Sequence, residues 1–141
     1  SMKMKDLAEE SLRKLGLKDQ VNLVVGDAVS LPFPDKEFDR VFLSFTLELF
    51  DTPEIPKVLG EIKRVLKSGG EVGIVELSNS KKNLMDRLYE KMHLIFPKYL
   101  DCRPIPISLL VKDAGFVLKK KRTGSMWGLT VGIVVADLPK P

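Results

Sequence analysis

Val21-Asn22-Leu23-Val24-Val25-Gly26-Asp27-Ala28, then Phe38-Asp39-Arg40-Val41-Phe42-Leu43-Ser44-Phe45, then Glu71-Val72-Gly73-Ile74-Val75-Glu76-Leu77 are the segments on which the fold turns. Each is a short, mostly apolar run, the composition of a strand covered on both faces. The first stops at Gly26-Asp27-Ala28. The loop Leu31-Pro32-Phe33-Pro34-Asp35 separates it from the second, because closely spaced prolines break a ladder. One amphipathic helix lies between the second and third. Strands alternating with a helix predict an open α/β sheet, and such sheets hold ligands at the carboxyl ends of their strands. Asp27, Ser44, Thr46, Glu48 and Glu76 sit at or just past those ends.

The helix between the strands is expected to start near Pro53, with Thr52 as N-cap and Glu54 favouring the positive end. Ile55, Val58, Leu59, Ile62, Val65 and Leu66 form one apolar face. Lys63, Arg64 and Lys67 lie toward its carboxyl end, and Gly69-Gly70 turns the chain into the strand 71–77. Upstream, residues 3–15 read as a helix: Met4, Leu7, Ala8, Leu12 and Leu15 recur at helical steps until Gly16. Downstream, residues 83–96 read as a longer helix ended by Pro97, 101–106 as an extended connector and 107–114 as a short helix closed by Gly115. Strands are expected at 116–121 and 129–136. The short link from Thr123 to Gly128 makes them an antiparallel hairpin, since a parallel return needs a longer crossover.

With 141 residues, 44% hydrophobic and 30% charged, the chain fits a single domain, residues 1–141. No apolar run reaches the ~20 residues of a membrane helix, and the amino terminus lacks an apolar signal core, so a cytoplasmic protein is expected. Cys102 is the sole cysteine and His93 the sole histidine, which excludes an intrachain disulfide and cysteine-cluster or multi-histidine metal sites. The net charge is +4, and Lys119-Lys120-Lys121-Arg122 carries part of it. That run could meet nucleic acid or anionic lipid. No aromatic stacking platform accompanies it, so a solvated strand end is the favoured reading.

Three motifs, in order, carry a resemblance. Val24-Val25-Gly26-Asp27-Ala28 with Leu31-Pro32-Phe33-Pro34-Asp35 and Phe38-Asp39 is similar to the segment after the third strand of class I S-adenosylmethionine-dependent methyltransferases. Val65-Leu66-Lys67-Ser68-Gly69-Gly70 is similar to that family's post-helix turn, with Ser68 where proline is usual. Ala114-Gly115-Phe116 before a strand is also familiar, and the closing antiparallel pair agrees. Within the superfamily the chain looks most similar to small-molecule methyltransferases of ubiquinone and menaquinone biosynthesis.

The resemblance implies a Rossmann-like sheet of strand order 3-2-1-4-5-7-6. The family's first strand with its glycine-rich loop, and its second strand with the acidic ribose ligand, have no counterpart here. The expectation is therefore an incomplete, N-terminally truncated sheet lacking its first two strands and two main cofactor anchors. The strand 21–25 would then dock beside 39–45, or two chains would pair through these open edges as a homodimer. The cofactor implied is S-adenosylmethionine, and the implied reaction is methyl transfer to a small molecule. A non-catalytic module that pairs with a partner or with itself through the open edge is the alternative.

By resemblance, Asp27 accepts a hydrogen bond from the adenine amino group and the Ala28 N–H meets a ring nitrogen. The alternative for Asp27 is a turn residue capping its own strand, and the motif favours the ligand reading. Leu31 packs around the adenine or in the core. Ser44, Phe45 and Thr46 follow the fourth strand, where the family meets the methionine half of the cofactor; either hydroxyl could instead cap the turn. Glu48 and His93 are weak candidates for a proton acceptor, and each also reads as a non-catalytic residue. The segment 79–106 is the expected substrate cover. Tyr89, Tyr99, Arg103 and Trp127 are candidate substrate contacts, with Arg103 also readable as a salt-bridge residue.

Overall fold

The computed structural model describes residues 1–77, 105–126 and 129–140. The elements are α1 (Met2–Lys14), β1 (Phe38–Ser44), α2 (Ile55–Val65), β2 (Leu66–Leu77), α3 (Ile107–Asp113), β3 (Val117–Met126) and β4 (Leu129–Asp137). Short 3₁₀ turns occupy Lys18–Gln20 and Leu47–Leu49. Contacts divide the chain into two units, Ser1–Pro32 and Phe33–Pro141. Among the described residues, no helix is long and apolar enough to cross a membrane.

In the first unit α1 forms where its periodicity places it. The Ser1 side chain accepts from Met4 N–H, and the pairs Lys5–Glu9 and Lys14–Glu10 lie four residues apart. Gly16 takes φ +68, which lets Leu17 N–H reach back to the Leu12 carbonyl at 2.9 Å. That left-handed exit is a Schellman closure. None of the residues of α1 is buried, so its apolar stripe stays uncovered.

The strand expected at 21–25 does not form. These residues are extended but belong to no ladder, and Val24 and Val25 are each 48% exposed. Strand propensity is realised only when a neighbour takes up the backbone hydrogen bonds and one side-chain face. Among the described residues the only strand that pairs with β1 is β2, so the expected ladder between 21–25 and 39–45 does not form.

The second unit holds a four-stranded mixed sheet of order β1-β2-β4-β3. β1 and β2 are parallel, and β2–β4 and β4–β3 are antiparallel. That order reproduces the 4-5-7-6 end of the sheet implied by the resemblance. The hairpin is tighter than expected, with its strands running to Met126 and from Leu129.

Val72 pairs with Ala136 and Ile74 with Val134, so all four side chains share one sheet face, and all are fully buried. The apolar side of α2 (Ile55, Val58, Leu59, Ile62, Val65) is buried too, as is Val111 of α3. Burying a Leu or Ile side chain stabilises by about 1.5–3 kcal/mol, so this face supplies much of the unit's stability.

Helix α2 begins two residues later than expected, and Thr52 is not its N-cap. Glu54 N–H bonds to the Asp51 carbonyl at 2.8 Å, closing a turn, and the helix starts at Ile55. Pro56 explains the shift. In a helix starting at Pro53, the missing Pro56 N–H would be the first one needed for the ladder; here it falls among the orphan donors of the first turn. The other end is also earlier. α2 stops at Val65, and Leu66 is already extended and paired with Phe38. Residues 67–70 are absorbed in a register break between Phe38 and Arg40, with Gly69 at φ +79.

Candidate functional site

At the carboxyl end of β1 the chain makes a tight reversal. Ser44 is the last strand residue, and Phe45 follows at φ +49, a left-handed conformation unusual for an aromatic residue. Phe45 N–H donates to the Val75 carbonyl at 2.8 Å, continuing the parallel ladder one step beyond the strand. Thr46 Oγ1 donates to the Ser44 carbonyl at 3.0 Å, so its hydroxyl serves the turn. The chain then enters the Leu47–Leu49 turn, with Leu47 fully buried and Glu48 2% exposed.

Glu76 closes this arrangement from β2. It shares the inward parity of Val72 and Ile74 and is fully buried. Its Oε1 accepts the Leu47 N–H at 3.1 Å, while Oε2 is buried with no hydrogen-bond partner among the described residues. Ser44, Phe45, Thr46, Glu48 and Glu76 are thus brought together at one sheet end. The sequence places Glu76 at a strand end but assigns it no role there. The signal was present: a carboxylate at an inward position of an otherwise apolar strand.

Asp27, Ala28 and Leu31 belong to the first unit. Asp27 Oδ1 accepts Val29 N–H at 3.1 Å, and Ser30 N–H donates to the Asp27 carbonyl at 3.1 Å. The side chain therefore caps its own turn with one oxygen. Asp27 is exposed and its second oxygen faces no partner among the described residues. A carboxylate so placed can cap a turn and accept one further N–H, so turn and ligand readings are compatible. Ala28 and Leu31 are half-buried. His93, Tyr89, Tyr99, Arg103 and Trp127 lie outside the described residues, as does the expected cover 79–106 apart from Ile105 and Pro106.

The cations of 119–122 do not share a face. Lys120 pairs with Val135, Lys121 with Val134 and Arg122 with Ile133, so successive side chains alternate across the sheet. β3 is an edge strand, and lysines there discourage edge-to-edge pairing.

The profile of the ubiE/COQ5 methyltransferase family matches residues 1–100. A demethylmenaquinone methyltransferase of Lactobacillus johnsonii is 37% identical over 99 residues, 70% of this chain and 40% of that protein. The ubiquinone/menaquinone biosynthesis C-methyltransferase UbiE of Shewanella halifaxensis is 31% identical over 112 residues, 79% of this chain and 41% of that protein. The chain thus spans about two fifths of the length of these relatives. Among solved structures, a SAM-dependent methyltransferase of Methanosarcina mazei superposes with TM-score 0.78 at 22% identity, covering 96% of this chain and 77% of that one. The [4+2]-cyclase SpnF superposes with TM-score 0.72 at 21% identity, covering 96% of this chain and 63% of that one. Likeness at this identity is one of fold, and fold alone does not carry a reaction.

Proposed function

Since this chain belongs to the ubiE/COQ5 methyltransferase family, we propose that it carries part of an S-adenosylmethionine site and that the protein methylates a small molecule of the quinone-precursor class. The observation that supports this most is the left-handed Ser44-Phe45-Thr46 reversal, tied to β2 at the carboxyl end of the parallel pair. This is where an open α/β sheet receives ligands.

The cofactor, when bound, supplies an electrophilic methyl group. The chain's residues hold and orient it and keep water out. By the resemblance, Asp27 would accept from the adenine amino group through the oxygen its turn leaves open, with the Ala28 N–H and Leu31 beside the same ring. By the same resemblance, Ser44, Phe45 and Thr46 would border the methionine half. Glu48 and His93 are the candidates for a proton acceptor when the nucleophile must lose one. Glu48 is buried.

Calorimetric titration of the chain with S-adenosylhomocysteine tests the reading. Measurable binding is expected, weakened about tenfold by Asp27→Ala, the loss of one charge-assisted hydrogen bond. No heat at millimolar ligand would reject it.

A second reading rests on the outer edge of β1, which pairs with no further strand among the described residues and where Phe42 is 70% exposed. That edge can take a strand from a second copy, making a homodimeric module without catalysis. Sedimentation is expected to give a dimer that Phe42→Lys dissociates; a monomer at every concentration rejects it.

A further inference from the structure

A left-handed aromatic residue persists only where its surroundings over-determine it. At Phe45 the determinants are two consecutive residues of β2. The Val75 carbonyl takes the Phe45 N–H at 2.8 Å, and the Glu76 carboxylate takes the Leu47 N–H at 3.1 Å. The first is an ordinary ladder bond. The second comes from a carboxylate that is fully buried, its other oxygen without a partner among the described residues. A buried carboxylate in that state costs the fold stability, and an apolar side chain would serve the core better. Its return is the bond to the loop. The bond spans 29 positions of sequence and joins the residue after the reversal to the end of β2.

We propose that Glu76 is a positioning residue that latches the 44–49 loop, and with it the ligand-facing end of β1, to the end of β2. Glu76 acts through the Leu47 N–H, which sets the direction in which the loop leaves the Phe45 turn. The consequence for ligand binding rests on the reading of Ser44, Phe45 and Thr46 as the border of the methionine half.

Two conservative variants separate reach from charge. Glu76→Asp keeps the charge but withdraws the oxygen by one methylene, beyond the Leu47 N–H. Glu76→Gln removes the charge but keeps an acceptor at the same reach. Amide hydrogen exchange on the full chain is read at Phe45 and Leu47, with Ile74, paired on both sides in mid-sheet, as the measure of global stability. In Glu76→Asp, Phe45 and Leu47 are expected to exchange about tenfold faster relative to Ile74, and in Glu76→Gln to stay within about threefold of wild type. Loss of protection at Leu47 only in step with Ile74 would overturn the latch, as would unchanged exchange in Glu76→Asp. S-adenosylhomocysteine affinity is expected to follow the same order, weakened in Asp and restored in Gln. If the wild type binds no S-adenosylhomocysteine, the cofactor reading fails, and the exchange result alone still decides for or against the latch.

Discussion

The ring of Phe42 on β1 covers Gly73 on β2: a Cβ added to Gly73 would stand 3.2 Å from Phe42 Cδ2. The two residues face each other in the parallel register, and the aromatic side chain fills the space the glycine leaves open. Phe42 is exposed on an edge strand, so its ring can yield by the few tenths of an ångström that a methyl group requires.

Gly73→Ala is therefore expected to change stability by less than about 1 kcal/mol, the cost of moving the ring being offset by the lower chain entropy of alanine. Gly70→Ala is expected to behave differently. A Cβ there would lie 2.9 Å from the Lys67 carbonyl oxygen and 3.0 Å from that of Asp39, both backbone atoms of the register break. These cannot swing away, and a loss of about 1–3 kcal/mol is expected. Urea unfolding of the two variants checks the contrast; equal stabilities would contradict it.

The register irregularity between Leu118 and Lys120 leaves Lys119 as the extra residue of β3, and its ammonium bonds to the Glu71 carboxylate. Arg40 Nε lies 3.0 Å from the other Glu71 oxygen. The Lys119 hydrogen bond, then its charge, holds the Glu71 carboxyl below its ordinary value of 4.5. Glu71 in turn, with help from Asp137, holds the Lys119 ammonium above 10.5. A lowered carboxyl stabilises the fold above its unfolded pKa and loses that contribution as pH falls through the folded one. A raised amine stabilises below its unfolded pKa and loses it as pH rises through the folded one. The pair thus contributes from about pH 4.5 to 10.5 and fails at both ends. Lys119→Met is expected to move the acid unfolding midpoint to higher pH relative to Lys120→Met, which removes the same charge. Acid titration followed by circular dichroism measures it; coincident midpoints would refute the coupling.

Arg64 ties α2 to the loop before β1. Its Nη1 donates to the Phe33 carbonyl at 2.8 Å and to Asp35 Oδ1 at 2.7 Å, and its Nε and Nη2 grip both oxygens of Glu61 at 2.8 Å. Lys36, itself left-handed at φ 55, donates its N–H to the Arg64 carbonyl at 2.9 Å. Lysine has no planar fork and cannot make these contacts together. In Arg64→Lys the Lys36 amide is expected to exchange about tenfold faster while Ile62, in the buried face of α2, keeps its protection. An unchanged Lys36 rate would show that the loop stands without the guanidinium.

Much of this architecture is legible residue by residue. The buried face of α2, the exit of α1 at Gly16 and the antiparallel hairpin follow from periodicity, a glycine stop and a short link. These are local relationships, and local sequence suffices for them. The start of α2 was also legible from Pro56, whose missing N–H outweighs the attraction of Thr52-Pro53 as a start. The site was less so. Asp27 at a strand end is visible in sequence, and so is its capacity to cap its own turn, but the oxygen left over depends on the turn that forms.

What the amino-acid order determined by itself is the kind of each element and the side it buries, because side-chain periods of two and 3.6 are properties of the chain alone. What only the tertiary structure decided is which elements found partners. Residues 21–25 have strand composition and form no ladder, since backbone donors need a neighbour that no local pattern supplies. Glu76 has the composition of an interruption in β2 and becomes the acceptor for Leu47, since parallel pairing with β1 brings the two strand ends together across 29 residues.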